Sequence, residues 1–315
     1  MRIAVVGAGA MGSMFGALLH RAGHDVTLVD VDDAQVDAIN RHGLLLRSPD
    51  EEMTVALRAT AHPSKDLDAV DAAIVLCKGW ANENAARSIE HALRPASPVV
   101  TIQNGLGTDV TLAAVLGPDR IVSGTTTAGA HRPAPGIVDV SPITSAGGSI
   151  TQLGRPRSDV AISETTNELA RSLDSAGLPC SILTDANIVI WTKLAMAATA
   201  GPLTAAMGAT VEEMVSSPSA MALFRSLFDE IVELAGTLGI ALDSREVWDH
   251  ALATYRAVGP HTTSMADDFA SHRRSEIDSF CVEISRLGRA HGVATPTHDV
   301  IGQLLVAREE QGGLR

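Results

Sequence analysis

Along the first half of the chain, apolar residues gather into short β-branched runs separated by stretches with helical spacing. Arg2–Val6, Asp25–Val29, Ala72–Cys77 and Pro98–Ile102 read as strands, and Ala10–Ala22 reads as the helix after the first of them. Nearly continuous apolar strands alternating with helices predict a parallel sheet covered on both faces. Ile121–Thr127 and Ile137–Val140 are expected to extend that sheet, with the proline-containing stretch His131–Gly136 as a turn between them. From about Asp185 the period changes to that of helices, in Ile188–Ala200, Ala220–Leu238, Val247–Val258, Ser275–His291 and Asp299–Glu310, punctuated by Pro202, Pro218, Pro260 and Pro296. The pattern predicts an α/β domain over residues 1–184 and an all-α domain over 185–315, with a small ligand expected in the cleft between them.

Composition narrows the class. A chain of 315 residues, 45% hydrophobic and 19% charged, has enough apolar material for about two globular domains. The formal charge of −13, with no basic tract, makes nucleic acid and anionic membrane surfaces poor partners. Cys77, Cys180 and Cys281 lie far apart and suit a reducing cytoplasm better than a disulfide framework. Glycines break the apolar N-terminus, and no uncharged apolar run reaches about 18 residues, so neither a signal peptide nor a membrane span is expected. The helical half carries enough apolar surface to support a homodimer. His20 and His24 straddle a helix end without an intervening acid, so no metal site is expected.

Candidate chemistry begins at the N-terminus. IAVVGAGAMGSMFGALL sets Gly7, Gly9 and Gly12 in GxGxxG order between a strand and a helix, with Ala10 and Met11 completing the loop. Gly7 permits a tight turn, Gly9 lets a pyrophosphate approach the backbone, and Gly12 lets helix and strand pack closely. A glycine-rich turn without a ligand is the alternative. Asp30 ends the second strand, where a carboxylate can accept hydrogen bonds from the adenosine ribose and repel a 2′-phosphate. Val31, Asp32 and Asp33 offer no arginine there, so NAD is favoured over NADP. Asp30 could instead cap the next helix, as could Asp32 or Asp33.

Lys78 in LCKGW and Asn104 in TIQNGLGT follow successive strands at the edge where open α/β sheets bind ligands, although Asn-Gly is also a common turn. Lys193 lies in the apolar stretch IVIWTKLAMAATAGPLTA, as a snorkelling residue or as a desolvated amine suited to proton transfer. Glu276 is expected to begin a long helix, where an acid also complements the helix dipole. Trp191, Met196 and Met207 read as packing, and the acid pairs Asp267/Asp268 and Glu212/Glu213 as solvated faces or caps. Spacing alone does not join Lys193 to Glu276.

The ordered set GxGxxG, LCKGW, QNGLGT, GTTT, WTKLA…PLTA, TTSMADD and SEID resembles the ketopantoate reductases (2-dehydropantoate 2-reductases) over nearly the whole chain. The resemblance implies a Rossmann-type α/β domain followed by a helical domain with the active site in their groove. It implies reduction of a 2-keto acid to the (R)-2-hydroxy acid in pantothenate biosynthesis, Lys193 protonating the ketone oxygen and Glu276 orienting the lysine. Asn104 and Lys78 would help hold the nicotinamide and reacting groups, Ser264 would contact the substrate carboxylate, and Asp268 matches a further position near the site. Where the family carries asparagines, four and eight residues after the lysine, this chain has Ala197 and Gly201 on the same helical face. Losing two amides implies a roomier, less polar substrate wall, compatible with a bulkier or more apolar 2-keto acid, as in the related NAD-dependent D-2-hydroxyacid dehydrogenases. A non-catalytic dinucleotide-binding regulator and a 3-hydroxyacid dehydrogenase are the other readings.

Overall fold

Successive β-branched residues with no polar interruption force the first strand into the middle of a layer, because both of its faces need apolar cover. In the computed structural model, which describes residues 1–143, 150–155 and 161–315, Ile3–Val6 are indeed buried on both faces. The elements in order are β1 (Arg2–Val6), α1 (Ala10–Arg21), β2 (Asp25–Val29), α2 (Asp33–His42), β3 (Leu44–Arg47), β4 (Glu52–Val55), β5 (Arg58–Thr60), α3 (Pro63–Asp66), β6 (Ala72–Val75), α4 (Asn82–Ile89), β7 (Val99–Thr101), α5 (Thr108–Leu116), β8 (Ile121–Thr126), β9 (Ala130–Ala134), β10 (Ile137–Val140), β11 (Thr151–Gly154), α6 (Glu164–Ser175) and β12 (Cys180–Leu183). Eight strands form one sheet in the order β12-β11-β8-β7-β6-β1-β2-β5, parallel except for the β8–β11 pair. From β1 the chain builds outward through β2 and β5 on one side and through β6, β7 and β8 on the other. The order therefore reverses between β1 and β6, the switch point at which open α/β sheets take ligands. Two apolar layers cover the faces, one under α1 and α2 with Phe15, Leu28 and Ile74, the other under α4 and α5 with Ile89, Val99 and Leu112.

The structure corrects the expected fate of Ile137–Val140. They do not extend the main sheet but join β4, β3 and β9 in a separate four-stranded sheet ordered β4-β3-β10-β9. The stretch expected as a turn from His131 is mostly strand β9, antiparallel to β10. Pro133 is tolerated because β9 is an edge, where a missing N–H breaks no ladder.

Residues Met1–Gln103 and Thr108–Ala186 make one compact unit, and Asn187–Arg315 together with Asn104–Gly107 make the other. The second unit is helical: α7 (Asn187–Met207), α8 (Val211–Ser216), α9 (Pro218–Thr237), α10 (Ser244–Val258), α11 (Ser264–Ala270), a 3₁₀ turn at Ile277–Ser279, α12 (Cys281–His291) and α13 (Pro296–Gln311). Its core gathers Trp191, Leu203, Phe224, Phe228 and Ile284, with the Trp248 ring of α10 tilted against Phe224 and edge-on to Phe228 at centroid distances of 5.4 and 5.1 Å.

Two helix limits differ from the expectation. Helix α7 runs through Pro202 to Met207. Proline removes one helix hydrogen bond and crowds the carbonyl four residues back, here that of Ala198, and buried Ala200, Leu203 and Ala205 hold the helix on either side. Conversely, Glu276 does not start a long helix. It precedes the 3₁₀ turn, and Phe280, at φ −107° and ψ −103°, separates that turn from α12. Helix α7 is also long and apolar enough to cross a bilayer by composition, but 61% of its most apolar stretch is buried, as in a core helix.

The glycine loop yields a stability test. A Cβ at Gly12 would lie 1.8 Å from the Gly7 carbonyl oxygen, whereas at Gly9 nothing lies within 4 Å. Gly12→Ala is expected to lose roughly 1–3 kcal/mol through overpacking, and Gly9→Ala under about 1 kcal/mol as a cap change. Denaturant unfolding of the two variants beside the parent checks the order.

Candidate active site

The loop after β1 is built by close approach. Gly7 adopts φ +97°, and a Cβ on it would lie 2.5 Å from the Cys77 nitrogen, just beyond β6. Its own N–H donates to the Val29 carbonyl at 2.7 Å, tying the loop to β2. Gly9 is the N-cap of α1 and offers no side chain, while Ala10 and Met11 form the half-buried first turn. The free N–H groups of that turn have an open approach at Gly9.

Asp30, at the end of β2, accepts from the Ala8 N–H at 2.5 Å through one oxygen and from the Asp32 N–H at 3.0 Å through the other. The helix cap is Asp32, which receives the Ala34 and Gln35 N–H groups. Asp30 therefore braces the glycine loop. Gln35 was not foreseen. It is fully buried, donates to the Ala8 carbonyl at 2.9 Å and the Ser13 hydroxyl at 3.2 Å, and accepts from the Gly136 N–H at 2.8 Å. It thus ties the loop to the second sheet.

Lys78 is half-buried and precedes a 3₁₀ turn, Gly79–Ala81, beyond β6. Gln103, also unforeseen, fixes this neighbourhood by donating to the Cys77 carbonyl and, at 2.8 Å, to the Asn82 side chain. Asn104 falls with the helical unit. Gly105, at φ +86°, would put a Cβ 2.5 Å from the Ser279 carbonyl oxygen, and the Leu106 N–H donates to that same oxygen at 2.8 Å. Only glycine fits at 105.

In the helical unit, Lys193, Ala197 and Gly201 recur every four residues on α7 and share a face. A Cβ at Gly201 would meet Met265 and Phe280 at 3.8 and 3.9 Å, so this part of the helix faces close apolar neighbours in place of an amide. Burial pushes the Lys193 ammonium down to about 8, and the Glu276 carboxylate pulls in the opposite direction. The structure thus brings together the two residues that spacing left apart. Glu276 is held by what precedes it: the buried Ser275 donates its N–H and hydroxyl to Glu309 of α13 at 2.7 and 2.6 Å. Neither Ser275 nor Glu309 was foreseen, since a lone polar residue carries no local sign of its burial.

Ser264 is exposed at the start of α11, whose cap Thr263 shares a 2.8 Å hydroxyl contact with Thr204 of α7. Asp268, expected on a solvated face, is buried and paired with Arg273 at 3.1 Å. Among the described residues no group of His, Cys, Asp and Glu could hold a metal.

Residues 3–155 match the family model described as Ketopantoate reductase PanE/ApbA, and residues 185–309 match its C-terminal counterpart. A 2-dehydropantoate 2-reductase from Lactococcus lactis is 28% identical over 314 residues, 98% of both chains. Another from Halobacterium salinarum is 27% identical and covers 99% of this chain and 100% of its own. Among solved structures, a ternary D-mandelate dehydrogenase with NADH and anilino(oxo)acetate superposes with a TM-score of 0.90 at 27% identity, covering 100% of both chains. A 2-dehydropantoate 2-reductase from Geobacter metallireducens gives 0.87 at 28% identity over 99% of each. With both of its units matched in order, the chain belongs to the ketopantoate reductase family.

Proposed function

We propose that this protein reduces a 2-keto acid to the (R)-2-hydroxy acid with a nicotinamide cofactor, the 2-dehydropantoate to pantoate type of reaction, with Lys193 as general acid. The observation that carries this is the Lys193 amine, brought by burial to about 8 with Glu276 acting on it. A ketone gaining two electrons develops alkoxide character at oxygen, so it needs a positioned acid whose pKa lies near working pH. A surface lysine, at its ordinary value, gives up its proton far less readily. Glu276 favours the ammonium form and so keeps the proton available. Its role is orientation and tuning.

The loop of the first unit fits the pyrophosphate of a dinucleotide, because Gly9 leaves open exactly the side that a Cβ would fill and the α1 N–H groups end there. When bound, a reduced nicotinamide supplies the hydride. Asp30 lies where the adenosine ribose would be received, which favours NAD over NADP. Lys78 and Asn104 are the remaining groups proposed to hold the nicotinamide and the reacting centre, and Ser264 the substrate carboxylate. We assign the protein to the cytoplasm as a homodimer, with no nucleic-acid or membrane partner, on its charge, cysteine usage and apolar helical unit.

A second reading concerns the substrate alone. Gly201 sets α7 against Met265 and Phe280, and Ala197, one turn before it on the same face, brings no amide. That favours a 2-keto acid bulkier or more apolar than ketopantoate, and the likeness to D-mandelate dehydrogenase supports it. Turnover of ketopantoate, ketoisovalerate, phenylpyruvate and phenylglyoxylate with NADH and with NADPH is the test. The apolar acids are expected to give the highest kcat/KM, and activity on none of the four would overturn the reductase assignment.

Lys193→Met is expected to lower kcat by roughly 10²–10⁴ while raising the melting temperature at pH 7. The sign follows from linkage. The folded amine sits near 8 and the unfolded one near 10.5, so the burial cost of the charge is fully present below pH 8 and is relieved as pH rises through that window. Removing the amine removes the cost. Steady-state kinetics and calorimetry on one preparation measure both effects.

The pH profile offers an independent check. Reduction uses the ammonium, so its kcat/KM is expected to fall above about pH 8, the value of the Lys193 amine, and oxidation to rise over the same range. Glu276→Gln removes the group that supports the charge and is expected to move that limb to lower pH. A limb that stays in place would show that Glu276 does not tune the amine.

A further inference from the structure

Arg132 stands on β9 with its side chain on the half-buried face of an alternating strand. Its guanidinium reaches Asp32, the N-cap of α2, at 3.0 Å across 100 positions of sequence. Asp32 uses its other oxygen for the Ala34 and Gln35 N–H groups at 3.1 and 3.3 Å. Burial alone would raise the Asp32 carboxyl, but the bonds from Arg132 and from the two backbone groups outweigh it, and the group titrates below the usual carboxylate range. It is therefore ionised whenever the protein is folded near neutrality.

The place of this pair matters. Asp32 lies two residues beyond Asp30, whose carboxylate braces the glycine loop through Ala8. A second-strand carboxylate of this kind meets a ribose 2′-hydroxyl, and an arginine nearby is what accommodates a 2′-phosphate. The local sequence provides no arginine, but the fold delivers one from another sheet. The delivery is rigid, because Gln35 pins the β9–β10 turn at Gly136 to the loop at Ala8.

We propose that the Asp32–Arg132 ion pair is the cofactor-selectivity device of this protein: Asp32 occupies a guanidinium placed to receive a 2′-phosphate and adds its own charge against it. The proposal rests on the dinucleotide reading above. Neutralising Asp32 while keeping its cap frees Arg132 for phosphate. Arginine matches a phosphate with two parallel N–H donors, so the released side chain has a ready use.

The test is direct binding of NADH and NADPH, followed by nucleotide fluorescence without any keto acid, on the full chain. Asp32→Asn and Asp32→Ser both retain a capping side chain, and circular dichroism confirms that each is folded. Wild type is expected to bind NADH at least tenfold more tightly than NADPH. Each Asp32 variant is expected to gain about tenfold for NADPH, with NADH affinity held within threefold. Adding Arg132→Met is expected to erase that gain, whereas Arg132→Met alone leaves the preference for NADH. An unchanged NADPH affinity in both Asp32 variants, or a gain that survives loss of Arg132, overturns the proposal and leaves the dinucleotide reading intact. Folded wild type binding neither nucleotide overturns both.

Discussion

An ammonium set on an apolar helix is the constraint around which the helical unit is organised. Helix α7 has a mean hydropathy of 1.3 over its most apolar window, yet it carries Lys193 within its first two turns. Desolvation penalises the charge, so the amine settles near 8, and only an opposing carboxylate keeps it from falling further. That carboxylate has to be aimed from elsewhere, on a turn that does not wander. Ser275, immediately before it, is locked by Glu309 of α13, and Ser279, just after it, offers its carbonyl to Leu106 and leaves no room for a side chain at Gly105. Segments from four distant parts of the chain thus converge on one electrostatic relation.

The first unit solves a different problem, how to leave the N-terminus of α1 open while packing its base tightly. Gly7 and Gly12 answer the packing half, since a side chain at either would run into the backbone just after β6 or into the loop itself. Gly9 answers the other half by presenting nothing. The N–H groups not used within α1 remain available, while the adjacent Ala8 N–H and carbonyl are taken by Asp30 and Gln35. The bracing donors and acceptors at Ala8 are thereby distinct from the N–H groups at the open end of α1. Gln35 also explains why the second sheet matters, because through it the position of β9 and β10 is referred to the glycine loop.

These arrangements were unequally legible. β1, β2, β6, β7 and β8 announce themselves because buried parallel strands read as short runs rich in apolar and β-branched residues, and GxGxxG with Asp30 is a local motif that one strand and one helix suffice to interpret. The second sheet is assembled from strands such as EMTV and AHRPA, which alternate or carry proline, and from a parallel pairing of β3 with β10 that no local pattern encodes. Pro202 reads as a break, yet tertiary packing on both sides overrides it. Within the site, residue types at Lys193 and Glu276 were visible, but their relation was not, because it depends on how α7 meets the turn after α11. Arg132 beside Asp32 is the same case at greater separation.

Buried polar groups separate into those whose partners all come from the chain and those whose charge balance is left adjustable. Glu230 belongs to the first kind. Burial would raise its carboxyl, but bonds from the His298 ring and from the Thr297 and His298 N–H groups outweigh it and hold it below the usual range. Its effect is to anchor the N-terminus of α13 against α9, where an acid also suits the helix dipole. Helix α13 then carries Glu309 to Ser275, so the position of Glu276 is inherited from an anchor at the opposite end of the same helix. Lys193 is of the second kind, with burial and carboxylate pulling in opposite directions and neither satisfied alone. A structural ion pair gains from being driven far to one side, whereas a proton donor works only while both of its states stay accessible. On the proposed reading of Lys193 as that donor, the Ser275–Glu309 bonds fix the turn that carries Glu276 and so hold the balance in place.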